Sequence, residues 1–342
     1  MPVRELAIFA AAAVAIYASG SRLPVLGKRI ASRLGVSATT LGLFVLALIT
    51  SLPELSITIA ALARERAPDL ALGNILGSNN FNIMTLAFLE LAFVGGGFLS
   101  AVHARRYMRT CRLLLTLTLL VGAGVVVGRH LGPVLLPVAL FSLPIVVLFL
   151  VEAAGGGPSL KEEERQHEQP ASDSTAALAA RFLLLAAVVV GAGFFMSSSA
   201  NRIALFSFQL NGRSLVLGQT FVGSLLVAIA TSLPEVTVAF AAVRRARSAD
   251  MALGTLLGSN TINILLFALG APLLMLGGGR SAWSGVSLVN LVNVVGALVL
   301  TSLAFFGIRS GRAGGTILRH RVLTGVMVPI YLACLVVLRR LG

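Results

Sequence analysis

Charge is what this chain has least of. Only 12% of its 342 residues are Asp, Glu, Lys or Arg, against 57% hydrophobic, and the mean hydropathy is +0.93. Soluble domains carry about twice that charged fraction, so a polytopic membrane protein is expected instead. Cysteine is almost missing as well. Cys111 and Cys334 stand far apart in apolar runs, with no CxxC and no histidine partner. Thiolate metal binding is thereby set aside, and both read as small buried hydrophobes. The four histidines, His103, His130, His167 and His320, fall in or beside loops, which argues against a buried histidine proton relay. No GxxxxGK[ST] loop is present, which argues against an ATP-driven pump. A plausible nucleophile–base pair is also lacking, so an enzyme is the least favoured reading and no cofactor is expected.

The net charge of +14 would suggest nucleic acid in a soluble protein. Here the Lys and Arg occupy short gaps between apolar runs, where they set membrane topology and touch anionic lipid. No nucleic-acid partner is implied, and no obligate protein partner is evident.

Ten runs are long enough to cross a bilayer, near 3–20, 37–63, 69–94, 110–128, 131–151, 178–199, 215–243, 250–276, 284–307 and 319–338. The first could pass for a signal peptide, but no clear A-x-A cleavage site follows, so it counts as a membrane helix. The one long polar interval, 152–177, holds Gly155-Gly156-Gly157-Pro158 and Lys161-Glu162-Glu163-Glu164-Arg165, the composition of a flexible linker. The expected fold is therefore all-α, with ten transmembrane helices in two five-helix halves, 1–151 and 178–342. Two-thirds of the 27 Lys and Arg lie on the linker's side. That bias puts the linker in the cytoplasm and both termini outside.

The halves repeat each other. Thr50-Ser51-Leu52-Pro53-Glu54 returns, 181 residues later, as Thr231-Ser232-Leu233-Pro234-Glu235. At the same offset, ten of the fifteen residues from Asp69 to Ile83 are identical in the segment from Asp250 to Ile264. An odd number of spans per half turns the second half upside down relative to the first, and such inverted repeats enclose a midplane binding site in many secondary transporters.

Each pentapeptide carries a glutamate into an apolar run, at a cost of roughly 3 kcal/mol or more if nothing compensates it. On a helix, Ala47, Thr50, Ser51, Glu54 and Thr58 share one face, and Ala228, Thr231, Ser232 and Glu235 repeat the pattern. Pro53 cannot donate to the carbonyl of Ile49, so a bend is expected there. Oxygen-only surroundings of this kind suit Ca²⁺ and Na⁺ rather than zinc or copper. Each half also repeats Gly-x-x-x-Gly-Ser-Asn-x-x-Asn. Gly73 and Gly77, like Gly254 and Gly258, fit close helix packing. Ser78 with Asn82, and Ser259 with Asn263, lie one turn apart and can point at one place, whereas Asn79 and Asn260 are expected to bond between helices. Asp69 and Asp250 begin helices, where they read first as caps and second as ion attractors.

These paired motifs resemble the alpha repeats of the sodium/calcium exchangers, within the cation/calcium exchanger superfamily, in the short-looped prokaryotic type. The resemblance is close over 39–83 and 220–264. It implies a secondary antiporter of the bacterial or archaeal inner membrane, with four neighbouring cation sites between the second and third helices of each half. By resemblance, Glu54 and Glu235 serve both Ca²⁺ and Na⁺, and carbonyls of Thr50 and Thr231 complete the Ca²⁺ site. Hydroxyls of Thr50, Ser51, Thr231 and Ser232, carbonyls of Ala47 and Ala228, and Ser78 and Ser259 line the Na⁺ sites. Asn82 and Asn263 border the centre. The first and sixth helices are implied to slide across the other eight. Asn at 263, where potassium-dependent relatives carry an acid, favours a potassium-independent exchanger. Protons can also neutralise the two glutamates, so Ca²⁺/H⁺ antiport is the alternative on the same scaffold. A passive channel or non-transporting receptor is a third reading, which the repeats disfavour.

Overall fold

In a chain this apolar, aliphatic side chains both fill the interior and face outward, while many polar side chains, Glu54, Asn82 and Glu235 among them, are buried. The computed structural model describes residues 2–33, 51–92, 98–100, 102, 104–131, 135–154, 174–210, 213–244, 249–273, 281–312 and 317–341. The described helices are α1 (Pro2–Gly20), α2 (Leu23–Arg33), α3 (Leu52–Ile59), α4 (Pro68–Ala92), α5 (Ala104–Val127), α6 (Leu143–Ala154), α7 (Thr175–Leu205), α8 (Ala228–Arg244), α9 (Ala249–Gly270), the single turn α10 (Ala282–Gly285), α11 (Asn290–Arg312), α12 (Ile317–Gly325) and α13 (Met327–Leu341). Eight stretches are long and apolar enough to span a membrane. Residues 37–50 of the expected run 37–63 lie outside the described residues, as does most of the 152–177 linker. The run 69–94 is the helix α4, which is absent from those eight because it carries so many polar residues.

Several details depart from the sequence reading. An amphipathic helix, α2, fills the gap after the first run. A short antiparallel hairpin pairs Ser207–Leu210 with Arg213–Val216, so the described fold is helical but for two strands. Gly218 follows it at φ 80°, a left-handed conformation that suits glycine, and opens the turn Gln219–Val222. That turn runs through a π-helical stretch, Gly223–Val227, directly into α8. His320, the fourth residue of α12, is fully buried, although α12 holds none of the expected site residues.

Burial orders the helices from centre to rim. In the most apolar 18 residues of the α9 span 72% are buried, in those of the α8 span 56%, and in those of the α7 span only 17%. The rim presents Leu183, Leu184 and Phe195 of α7 and Val147, Leu150 and Val151 of α6 as exposed apolar groups, which suits contact with lipid chains. Small residues let the central helices meet at backbone distance. A Cβ at Gly73 would stand 2.8 Å from the Thr220 carbonyl, and one at Gly77 2.5 Å from Ser224 Cα. The packing role expected of these two glycines is realised. At Gly254 the neighbour is different, the Tyr107 hydroxyl 3.3 Å away.

Candidate ion-binding site

The two repeated motifs begin their helices differently. Pro53 stands in the first turn of α3, where its missing N–H costs little, and Ser51 is the residue before that helix. Pro234 lies inside α8, so the carbonyl of Ala230 loses its partner there. The expected bend at Ile49 falls outside the described residues, as do Thr50 and Ala47. Gly20, the last residue of α1, packs over both prolines, with Pro234 at 3.0 Å and Pro53 at 3.9 Å from a Cβ built on it.

Within this frame most of the remaining predicted residues are brought together, whereas Asn82 and Asn263 bond to Asn260 and Asn79. Ser51, Glu54, Ser78, Asn82, Ala228, Thr231, Ser232, Glu235, Ser259 and Asn263 are all fully buried. Ser232 donates to Glu54 Oε1 over 3.3 Å, and Ser259 to Glu235 Oε1 over 3.3 Å. Ser51 and Ser259 share a hydrogen bond of 3.0 Å. Ser78 reaches the Thr231 hydroxyl at 3.4 Å and donates to the Ala228 carbonyl at 3.5 Å. Most of these contacts join residues of one half to residues of the other. The second oxygens, Glu54 Oε2 and Glu235 Oε2, meet no donor among the described residues. Nor does either carboxylate form an ion pair there; the described pairs involve Glu5, Glu65 and Glu152.

The asparagines hold α4 and α9 in register. Asn79 Nδ2 donates to the Asn260 carbonyl and Asn260 Nδ2 to the Asn79 carbonyl, each over 3.0 Å. Asn82 donates to Asn260 Oδ1 over 2.9 Å, and Asn263 to Asn79 Oδ1 over 3.1 Å. Each copy of the motif thus treats the other alike. Because their NH₂ groups are used in this way, Asn82 and Asn263 keep Oδ1 without a donor among the described residues, as does the Thr58 hydroxyl. A buried cluster with surplus acceptors is what a cation requires. No group of three or more His, Cys, Asp or Glu suited to a metal occurs among the described residues, so the oxygens come chiefly from hydroxyls and amides.

Asp69 behaves otherwise than expected. Its Oδ1 accepts from the Ser287 backbone N–H at 2.7 Å and from Asn290 Nδ2 at 2.8 Å, so it serves the start of α11 rather than of its own helix. Sequence reasoning also passed over Asn74, whose Oδ1 accepts the Thr231 hydroxyl at 3.3 Å. Its place one turn before Ser78 was the available signal, masked because the repeat has Thr255 there.

The profile of the sodium/calcium exchanger protein family matches residues 5–153 and 177–339. The chain belongs to that family. Among curated relatives of this sodium/calcium exchanger family member, the inner membrane protein YrbG of Escherichia coli K12 is 29% identical over 82% of this chain and 84% of its own length. A putative antiporter, CaxA of Alkalimonas amylolytica, is 35% identical over 31% of the chain. In fold, the chain is similar to the sodium-calcium exchanger NCX_Mj, with 21% identity, a TM-score of 0.55, and coverage of 97% of this chain and 98% of that one. It is also similar to an H⁺/Ca²⁺ exchanger, with 16% identity, a TM-score of 0.62, and coverage of 98% and 88%. The chain is accordingly an integral membrane protein, and its family is one of exchangers rather than a catalytic class.

Proposed function

We propose that this protein is a secondary-active antiporter that exchanges Na⁺ for Ca²⁺ by alternating access to an oxygen-lined site at the membrane midplane. One observation carries the reading. Glu54 and Glu235 are fully buried without a basic partner among the described residues, and each keeps an oxygen without a donor beside surplus hydroxyl and amide oxygens. Such a cluster is stable only when mobile positive charge completes it.

On this reading one Ca²⁺ neutralises both carboxylates at once. Alternatively, several Na⁺ spread over separate oxygen clusters built from Ser51, Ser78, Thr231, Ser232 and Ser259. The two loads exclude each other because they share Glu54 and Glu235. The gradients therefore set the direction. Carbonyls of Thr231 and Ala228 complete the second half's share, Asn82 and Asn263 border the centre, and Thr50 and Ala47 take the matching roles in the first half. The two halves are inverted repeats of five spans each, 1–151 and 178–342, with the linker cytoplasmic and both termini outside. The reciprocal Asn79–Asn260 pair supports that symmetry, since each copy makes toward the other the bond it receives.

Ca²⁺/H⁺ exchange is the second reading, because the donor-less carboxylate oxygens can equally accept protons. The deciding experiment is ⁴⁵Ca²⁺ uptake into proteoliposomes under an outward Na⁺ gradient or under a pH gradient. Uptake driven by Na⁺ alone supports the first reading. Uptake driven by the pH gradient alone replaces it with the second, and uptake with neither gradient refutes antiport.

A further inference from the structure

Beyond the central cluster, a second line of buried polar groups runs between α4, the segment leading into α8, and α11. None of it belongs to the repeated motifs except where it ends. At its inner end Thr231 donates to Asn74 Oδ1. One turn outward, Asn293 Nδ2 donates to Ser224 Oγ over 2.7 Å. At its outer end, Asn290 Nδ2 bridges Asp69 Oδ1 at 2.8 Å and Thr220 Oγ1 at 3.3 Å. Asn290 is fully buried, and its Oδ1 meets no donor among the described residues. Asp69 is half-buried, and both of its described hydrogen bonds go to Oδ1, which leaves Oδ2 open. No described Lys or Arg forms an ion pair with it. Around the Asn290 side chain, an amide oxygen and a carboxylate oxygen therefore stand without described donors, next to the Thr220 hydroxyl that its Nδ2 also reaches.

We propose that Asp69, Asn290 and Thr220 form an outer cation site, distinct from the Glu54–Glu235 cluster, at the mouth of a polar file leading to Thr231. One formal charge with neutral oxygens suits a singly charged ion of the Na⁺ class; Ca²⁺ takes six to eight oxygens and prefers more carboxylates. The sequence offset does not repeat the Asn290 contribution in the other half. At the 181-residue offset Asp69 corresponds to Asp250, but Asn290 corresponds to Arg109, a cation that pairs with Glu152 at 3.4 Å. The outer site thus collects Na⁺ on a single face, that of the loop before α4. Its service to transport rests on the antiport reading, whereas its occupancy does not.

The test uses the full chain in detergent, carrying Glu54→Gln and Glu235→Gln so that the central cluster is neutral. Melting temperature is compared in NaCl and in choline chloride at equal ionic strength, since an ion that binds only the folded state raises it. The expected result is a Na⁺-dependent rise that persists in this double variant and is lost when Asp69→Asn is added. Thr220→Val, which leaves the Asp69 contact to Ser287 in place, is expected to weaken the rise and guards against a mere folding defect. In the otherwise unaltered chain, Asp69→Asn is expected to raise the Na⁺ concentration for half-maximal Ca²⁺ flux several-fold without moving that for Ca²⁺. No Na⁺ response in the double variant, or one that Asp69→Asn leaves intact, overturns the proposal. A persistent, Asp69-dependent response in a protein that does not exchange Na⁺ for Ca²⁺ supports the outer site and refutes the antiport reading instead.

Discussion

Glu54 and Glu235 each have one oxygen held by a serine of a neighbouring helix and one left for something else. Replacing either by Gln keeps the shape and removes the charge. Contacts between a buried carboxylate and a cation are of the strong, charge-assisted kind, worth about 1.5–3 kcal/mol or more. Glu54→Gln and Glu235→Gln are therefore each expected to lower ⁴⁵Ca²⁺ flux by at least about tenfold, with the size-exclusion profile unchanged. Ordinary flux in either variant would remove the assignment. Ser78→Ala is expected to do less, because a neutral hydroxyl is one ligand among several. Its effect should appear as a shifted Na⁺ dependence in the same assay. At this scale the sequence was highly legible: two acids in apolar runs without a neighbouring base already called for a cation. It was less so at Asn74, where the repeat carries Thr255 and so broke the pattern that would have drawn attention to it.

At the scale of the elements, the contact between α4 and the stretch leading into α8 depends on having no side chain in the way. A Cβ at Gly77 would stand 2.5 Å from Ser224 Cα and 2.7 Å from its carbonyl, both parts of the backbone and unable to swing aside. Gly77→Val is expected to cost at least about 1–3 kcal/mol by overpacking, visible as a lower melting temperature in detergent. Gly191 in α7 is the contrasting case, with nothing within 4 Å of an added Cβ. Gly191→Ala should leave transport intact and raise stability by roughly 0.5–1 kcal/mol, the usual gain of Ala over Gly inside a helix. The glycine spacing in α4 was readable as a packing face, but the identity of its partner was not. Gly73 and Gly77 meet Thr220 and Ser224, whereas Gly254, at the corresponding place in α9, meets Tyr107. Asp69 shows the same limit. Its position at a helix start pointed to a cap, and only the folded chain shows that the N–H it satisfies belongs to Ser287.

For the whole molecule the charge bias makes a claim that can be checked without transport. A single cysteine placed in the 155–173 linker, in a background with Cys111 and Cys334 replaced by Ala, should react with a membrane-impermeant maleimide only after the cells are opened. Labelling of intact cells would invert the proposed topology. What the sequence alone determined was the class of protein and the two-fold repetition, and it singled out the polar residues proposed for its centre. Hydropathy, an exact offset and isolated acids in apolar runs are properties of the chain itself and survive without coordinates. Only the tertiary structure decided which oxygens remain without donors. It also decided that Asn79 and Asn260 clasp each other reciprocally, and that α11 brings Asn290 to Asp69 from 221 positions away. The reason is physical: a hydrogen bond between distant segments depends on how helices lie against one another, and no local pattern of residues encodes that placement.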